Sequence, residues 1–171
     1  MIEISECRNK ADFQAVVDLL AEMAVWDIAE TGALGIPTDD LMSLYYGDDA
    51  DALMSKLSGA RGKCWLARST GRLVGCIALA RIDQGTGEIQ KLYLRPGARG
   101  SGLGRALMET ALAEAGRRGF VTTRLVTATF MTGAIALYRA FGFVDCEQFS
   151  KGPQHLLPIM LFMKRAVPTQ A

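Results

Sequence analysis

Residues 88–108 read EIQKLYLRPGARGSGLGRALM, and the pattern changes character at the centre of this stretch. Glu88 to Leu94 reads as a strand that stops at Arg95-Pro96-Gly97. Glycines follow at positions 97, 100, 102 and 104. Leu103, Ala106, Leu107, Thr110 and Ala111 then share one face of a helix predicted over 103–117, with Gly119 where a C-terminal cap is expected. Glycines at the start of a helix leave its first N–H groups uncovered, and those donors have no partner within the helix. With the helix dipole they form a site for a phosphate or pyrophosphate, and close approach of the backbone to the anion requires residues without a bulky Cβ. A Walker loop would end in Gly-Lys-Ser/Thr, which is absent here. A dinucleotide loop would be G-x-G-x-x-G, whereas Gly100, Gly102 and Gly104 give G-x-G-x-G. The spacing that fits is Arg-x-x-Gly-x-Gly, from Arg99, Gly102 and Gly104.

Outward from this segment the periods alternate between strand and helix. Residues 2–7 read as a first strand, followed by a helix to about Glu30 in which Phe13, Val16, Val17, Leu20 and Ala24 form an apolar face. Gly32, Gly35 and Pro37 mark a loop, and a second helical stretch covers roughly 39–57, with an interruption near Gly47. Lys63 to Arg68 and Leu73 to Ala80 form a hairpin about Ser69-Thr70-Gly71, and Asp83 to Gly87 is the next turn. Beyond the 103–117 helix come a strand at 121–127, a short helix at 134–141 closed by Gly142, and strands near 143–148 and 159–165. The expected architecture is α/β (α+β): a mixed sheet of about seven strands flanked by about four helices, in one domain over residues 1–165 with a frayed tail at 166–171.

The formal net charge of +1 gives no compositional case for a nucleic-acid or anionic-membrane partner. Cys7, Cys64, Cys76 and Cys146 are widely spaced, without a C-x-x-C pair or a nearby His, so no metal site is expected. Cys64 and Cys76 read as small buried residues with reduced thiols. The N-terminus has no basic region followed by an apolar stretch, and no apolar run approaches a membrane span, so a cytoplasmic location is expected.

The segment LYLRPGARGSGLGRALM resembles the pyrophosphate-binding element of the GNAT acyltransferases, Gln/Arg-x-x-Gly-x-Gly/Ala between a strand and a long helix. A second family element, apolar-x-x-Leu-Tyr-x-x-x-Gly-Phe, is matched by residues 134–143, AIALYRAFGF. Both stand in the family's order, and the element order agrees over nearly the whole chain. The resemblance implies an acetyl-coenzyme A-dependent N-acetyltransferase, with acetyl-coenzyme A lying where the strand at 88–94 splays from the strand at 121–127. Main-chain groups of Leu92, Tyr93 and Leu94 would meet the pantetheine arm. The N–H groups of Arg99, Gly100, Ser101, Gly102, Leu103, Gly104 and Arg105 would hold the pyrophosphate, and Arg139 would reach a nucleotide phosphate.

By the same resemblance, Tyr138 matches the tyrosine beside the thioester sulfur, a candidate general acid, and Glu88 is the candidate base. Strand parity puts Glu88, Gln90, Leu92 and Leu94 on one face unless a bulge intervenes. The amine acceptor, a small molecule or a protein, would meet Trp26, Glu88, Thr127 and Met131, near the end of the first helix and the loop after it. In that stretch Trp26 individually reads as core, and Asp27, Glu30 and Asp40 read as solvated surface. Met131 stands where many relatives carry Asn, and His155 reads as a surface residue on the loop between the last two strands. Homodimers are common in the resembling family. The competing function is a non-catalytic acyl-coenzyme A-binding module that kept the cofactor loop.

Overall fold

A computed structural model describes residues 1–169. The elements are β1 (Ile2–Glu6), α1 (Lys10–Ala33), α2 (Thr38–Tyr45), α3 (Ala50–Lys56), β2 (Gly62–Ser69), β3 (Arg72–Arg81), β4 (Thr86–Leu94), α4 (Leu103–Arg117), β5 (Thr122–Ala128), α5 (Thr132–Ala140), β6 (Val144–Asp145) and β7 (Met160–Ala166). They build a seven-stranded sheet in the order β1-β2-β3-β4-β5-β7-β6. The β4–β5 pair is parallel and the other neighbours are antiparallel. No helix among the described residues is long and apolar enough to cross a membrane.

Among the described residues five α-helices flank the sheet, where the sequence predicts about four. The stretch read as one helix over 39–57 divides at residues 46–49, because Asp49 caps a new helix by accepting from the N–H of Ala52 at 2.9 Å. In α1, Asn9 accepts from the N–H of Asp12 at 3.1 Å, and Phe13, Val16, Leu20 and Ala24 are buried. The strand predicted over 143–148 shrinks to Val144–Asp145. The expected tail at 166–171 begins too early, since Ala166 ends β7 and the N–H of Val167 still donates to Val121 O at 2.9 Å. Residues 170–171 of that tail lie outside the described residues.

The sheet separates two cores. On one face Leu103, Leu107 and Met108 of α4, Tyr138 of α5 and Phe143 just beyond it pack against Ile77, Leu79, Ile89 and Leu125. On the other, α1 and α3 pack Phe13, Val16, Leu19 and Leu53 against Leu66, Cys76 and Tyr93. Cys7, Cys64 and Cys76 are buried there as free thiols, and burial pushes that of Cys76 up to about 12.

Two irregularities in β4 determine where the sheet opens. The register against β3 runs Cys76↔Tyr93 and then Ala78↔Gln90, so β4 carries one extra residue. Lys91 sits in this bulge with φ 58°, a left-handed conformation that costs a non-glycine residue about 1–2 kcal/mol. The bulge reverses the alternation of faces. Ile89 packs on the α4 side, but so do Leu92 and Leu94, which parity alone would put on the face opposite Ile89. β4 also pairs with β5 only at Thr86↔Thr122, Gly87↔Thr123 and Glu88↔Arg124, after which the two parallel strands diverge into a wedge.

Across β3, a Cβ on Gly75 would stand 2.5 Å from Tyr93 O and 2.5 Å from Leu94 Cδ2. Gly75→Ala is therefore expected to lower stability by about 1–3 kcal/mol through overpacking, read as a fall in the urea midpoint. An unchanged midpoint would mean that β4 can shift to accommodate the methyl group.

Candidate active site

The glycine loop begins with a single turn of 3₁₀-helix over Pro96–Ala98. The N–H of Arg99 closes this turn on Pro96 O at 3.2 Å, so it is not free for an anion, contrary to the sequence expectation. The Ser101 hydroxyl donates to Ala98 O at 2.6 Å and pins the loop. Gly102, with φ 84°, precedes α4, whose first backbone bond runs from the N–H of Ala106 to Gly102 O. Among the described residues, nothing accepts from the N–H groups of Gly100, Ser101, Gly102, Leu103, Gly104 or Arg105. A Cβ on Gly102 would meet nothing within 4 Å, so the loop is open beside this residue. An uncovered helix start thus stands where the sequence predicts one.

The wedge supplies a second set of main-chain groups. The N–H of Arg95 donates to Val74 O on β3 at 2.9 Å. By the alternation of an antiparallel ladder, Tyr93 also turns its main chain toward β3, while Leu92 and Leu94 turn theirs toward the opening. Tyr93, named with them from the sequence, thus pairs with Cys76 and buries its ring in the α1 core. Arg99 Nε donates to Leu94 O at 3.1 Å, tying the loop to the strand edge. Arg139, expected at a phosphate, instead forms an exposed ion pair with Asp145 at 3.1 Å. Arg105 lies over the Phe141 ring at 5.1 Å.

A cavity of ≈ 430 Å³ opens at the wedge and reaches both faces of the sheet. Glu88, Thr127, Met131 and Tyr138 line it, together with Asp27, Tyr46 and Lys91. Tyr138 is buried, with its ring edge-on to Phe143 at 6.1 Å, and burial raises its phenol well above the ordinary tyrosine range. Its hydroxyl has no hydrogen-bond partner among the described residues. Glu88 Oε2 accepts from Arg124 Nε at 2.8 Å and Oε1 accepts from Gln90 Nε2 at 2.7 Å. Each oxygen keeps a second lone pair. The Arg124 guanidinium in turn lies 4.1 Å from the Phe149 ring centroid.

Two sequence expectations are overturned at the acceptor side. Trp26 is not core: it is 40% exposed, packs at a tilt of 57° against Phe130 with ring centroids 5.7 Å apart, and does not line the cavity. Asp27 is not solvated: it is 5% exposed and accepts from the Tyr46 hydroxyl through Oδ2, while Oδ1 is buried without a partner. Burial raises its carboxyl above the usual range, against the opposing effect of the Tyr46 bond. The signal lay in the periodicity, since Phe13, Val16, Leu20, Ala24, Asp27 and Thr31 form one buried stripe at steps of three and four. Lys91 Nζ donates to Tyr45 O at 3.1 Å, and burial lowers its ammonium below the ordinary lysine range. At the surface, His155 Nε2 meets Asp40 Oδ2 at 2.8 Å, joining the loop before β7 to α2. No group of His, Cys, Asp and Glu among the described residues is arranged to hold a metal ion.

Residues 26–143 match the acetyltransferase (GNAT) family. An IAA acetyltransferase from Azospirillum brasilense is 39% identical over 101 residues, covering 58% of this chain and 65% of the relative. Two further curated relatives are spanned over 48% and 46% of their length. Among solved structures, an acetyltransferase from Streptococcus agalactiae has a TM-score of 0.73 at 24% identity, over 96% of this chain and 98% of that one. The PaiA N-acetyltransferase of Thermoplasma acidophilum, solved in complex with coenzyme A, has a TM-score of 0.75 at 18% identity, over 97% and 99%.

All four tyrosines are shifted the same way, with burial as the largest cause at Tyr45, Tyr46, Tyr93 and Tyr138. A phenol raised in the folded state contributes stability that is intact below its unfolded pKa of about 10 and is lost as pH climbs above it. Tyrosinate absorbance of the folded chain is expected to rise at higher pH than that of the chain in denaturant. Coincident titrations would show the rings to be solvated.

Proposed function

The chain belongs to the GNAT acetyltransferase family, and we propose that it is an acetyl-coenzyme A-dependent N-acetyltransferase that moves an acetyl group directly to a primary amine. The observation that carries this reading is the run of unpartnered N–H groups from Gly100 to Arg105, beside a wedge in the sheet that leads to Tyr138 and Glu88. The residues present fit the donor. The helix start suits a pyrophosphate, the turned-out main chain of Leu92 and Leu94 suits an amide-bearing arm, and the wedge admits that arm between β4 and β5. Family membership and the coenzyme A complex of a structural neighbour support the same donor.

Acetyl-coenzyme A supplies the thioester. The amine nitrogen forms the new C–N bond to its carbonyl carbon and gives up a proton. The C–S bond breaks, and the sulfur leaves as a thiolate that takes up a proton. Glu88, on the α1 side of the wedge, receives the amine proton through a remaining lone pair, directly or by way of water. Tyr138, on the α5 side, is protonated at neutral pH as any phenol is, and donates that proton toward the leaving sulfur. The N–H of Leu94 or a neighbour at the wedge edge bonds the carbonyl oxygen as charge develops there. The acceptor enters from the face covered by α1, α2 and the loop before β7. Thr127 and Met131 line its path, and Trp26 buttresses that path through Phe130. A cytoplasmic location suits the reduced thiols.

Calorimetry with acetyl-coenzyme A, followed by assay of thiol release with a panel of amines, tests the reading. Gly102→Glu puts a Cβ into a left-handed position and an anion before the donors, and is expected to weaken acetyl-coenzyme A binding at least about a hundredfold. Unaltered binding would remove the loop from the site. Tyr138→Phe and Glu88→Gln are each expected to lower kcat about a hundredfold or more while donor affinity stays near that of the parent. Full activity in either variant would remove that residue's proton-transfer role. Binding without thiol release for every amine would favour a non-catalytic acyl-coenzyme A-binding module.

A further inference from the structure

We infer that Asp27, held by Tyr46, anchors a second, non-reacting ammonium group on the acceptor, so that the chain acts on small diamines or on amines bearing another cationic centre. The inference rests on the N-acetyltransferase reading and extends it to the class of acceptor.

The charges around the cavity lead to it. Asp48 is bridged by Lys56 at 2.8 Å, and Glu88 by Arg124 at 2.8 Å. Lys91 gives its Nζ to the Tyr45 carbonyl rather than to a carboxylate. Asp27 alone among the described carboxylates lining the cavity has no cation partner. It is 5% exposed, takes a single hydrogen bond from Tyr46 and leaves Oδ1 buried without a donor. A carboxylate kept out of water with so little compensation is costly, and Asn or Leu at this position would be cheaper for folding. The terminal torsion of a carboxylate is broad, so a modest swing brings Oδ1 toward the cavity that Asp27 lines while the Tyr46 hydrogen bond bends to follow Oδ2. What it lacks is a group that only donates and carries positive charge, which an ammonium supplies.

The chemistry also says which ammonium. A carboxylate favours the protonated form of an amine beside it, whereas the attacking nitrogen must be neutral. The two ends of the cavity separate these roles. Asp27 belongs to α1 on one face of the sheet, and Tyr138 belongs to α5 on the other, with the wedge between. Met23, Leu41, Leu44 and Met160 also line the cavity and suit a methylene chain.

The test compares diamines of two to six carbons with the alkylamines in which a methyl group replaces the second amine, putrescine against pentylamine being one such pair. For at least one length, kcat/KM in the wild type is expected to favour the diamine by about tenfold or more. Asp27→Asn is expected to erase the preference by weakening the diamine alone, and to melt no lower than the parent, since it removes a poorly compensated buried carboxylate. No preference at any length, or an equal loss for both members of every pair, overturns the inference. Calorimetry of the same diamines with coenzyme A present keeps it distinct from the proposed function. Diamine binding that depends on Asp27, in a protein that transfers nothing, would sink the acyl-transfer reading and with it the acceptor role, and keep only the ammonium site at Asp27. Diamine binding indifferent to Asp27 sinks this one whatever the transfer assay gives.

Discussion

The parting of β4 from β5 is the constraint on which the rest depends. Two neighbouring parallel strands ordinarily bond along their common length, yet here they share three residue pairs and then separate. The bulge at Lys91 gives the departing strand its new direction and reverses its faces. Its left-handed backbone is held from two sides: Lys91 Nζ bonds Tyr45 O, and the Cys76 thiol donates to Lys91 O at 3.2 Å. Strained backbone of this kind persists only where its surroundings over-determine it. The result is an interior sheet edge with main-chain groups open to a ligand, between two otherwise complete cores.

The two faces of the wedge then differ in chemistry. On the α4–α5 face a helix begins with uncovered N–H groups, and Gly104 brings that helix start against Leu137 and Leu94. A Cβ on Gly104 would lie 3.3 Å from Leu137 Cδ2, so the loop, α5 and the strand edge are packed as one unit. On the α1 face the cavity is bounded by a bridged carboxylate, Glu88, and an unbridged one, Asp27. The loop before β7 covers this side through Leu156 and is fastened to α2 by His155 and Asp40. A negatively charged donor and a positively charged acceptor would thus approach the reacting centre from opposite faces of one sheet.

Much of this was legible in the sequence, and the parts that were not share a physical reason. The helix over 103–117 has the predicted bounds, and the glycine run makes the helix start it promised, because both follow from local backbone preferences. Strand order, the wedge and the cavity depend on contacts between residues far apart in the chain, and of these only the wedge is implied by the family resemblance. The Arg99 amide departs from the expected run because the turn over Pro96–Ala98 captures it. The bulge at Lys91 was beyond parity rules, since a lysine gives no hint of a left-handed backbone. Asp27 and Trp26 are adjacent and were each assigned to the wrong environment. A one-residue step rotates a helix by about 100°, so the buried stripe that reaches Thr31 takes the carboxylate and leaves the indole outside.

The most direct test of the central claim is the amide NMR spectrum of the chain titrated with coenzyme A. The N–H resonances of Gly100 through Arg105 should shift together, with those of Leu92 and Leu94 following as the arm enters the wedge, while Arg99 moves less because its amide is already bonded to Pro96. Shifts concentrated elsewhere, with the glycine loop unmoved at saturation, would contradict the assignment of loop and wedge as the donor site.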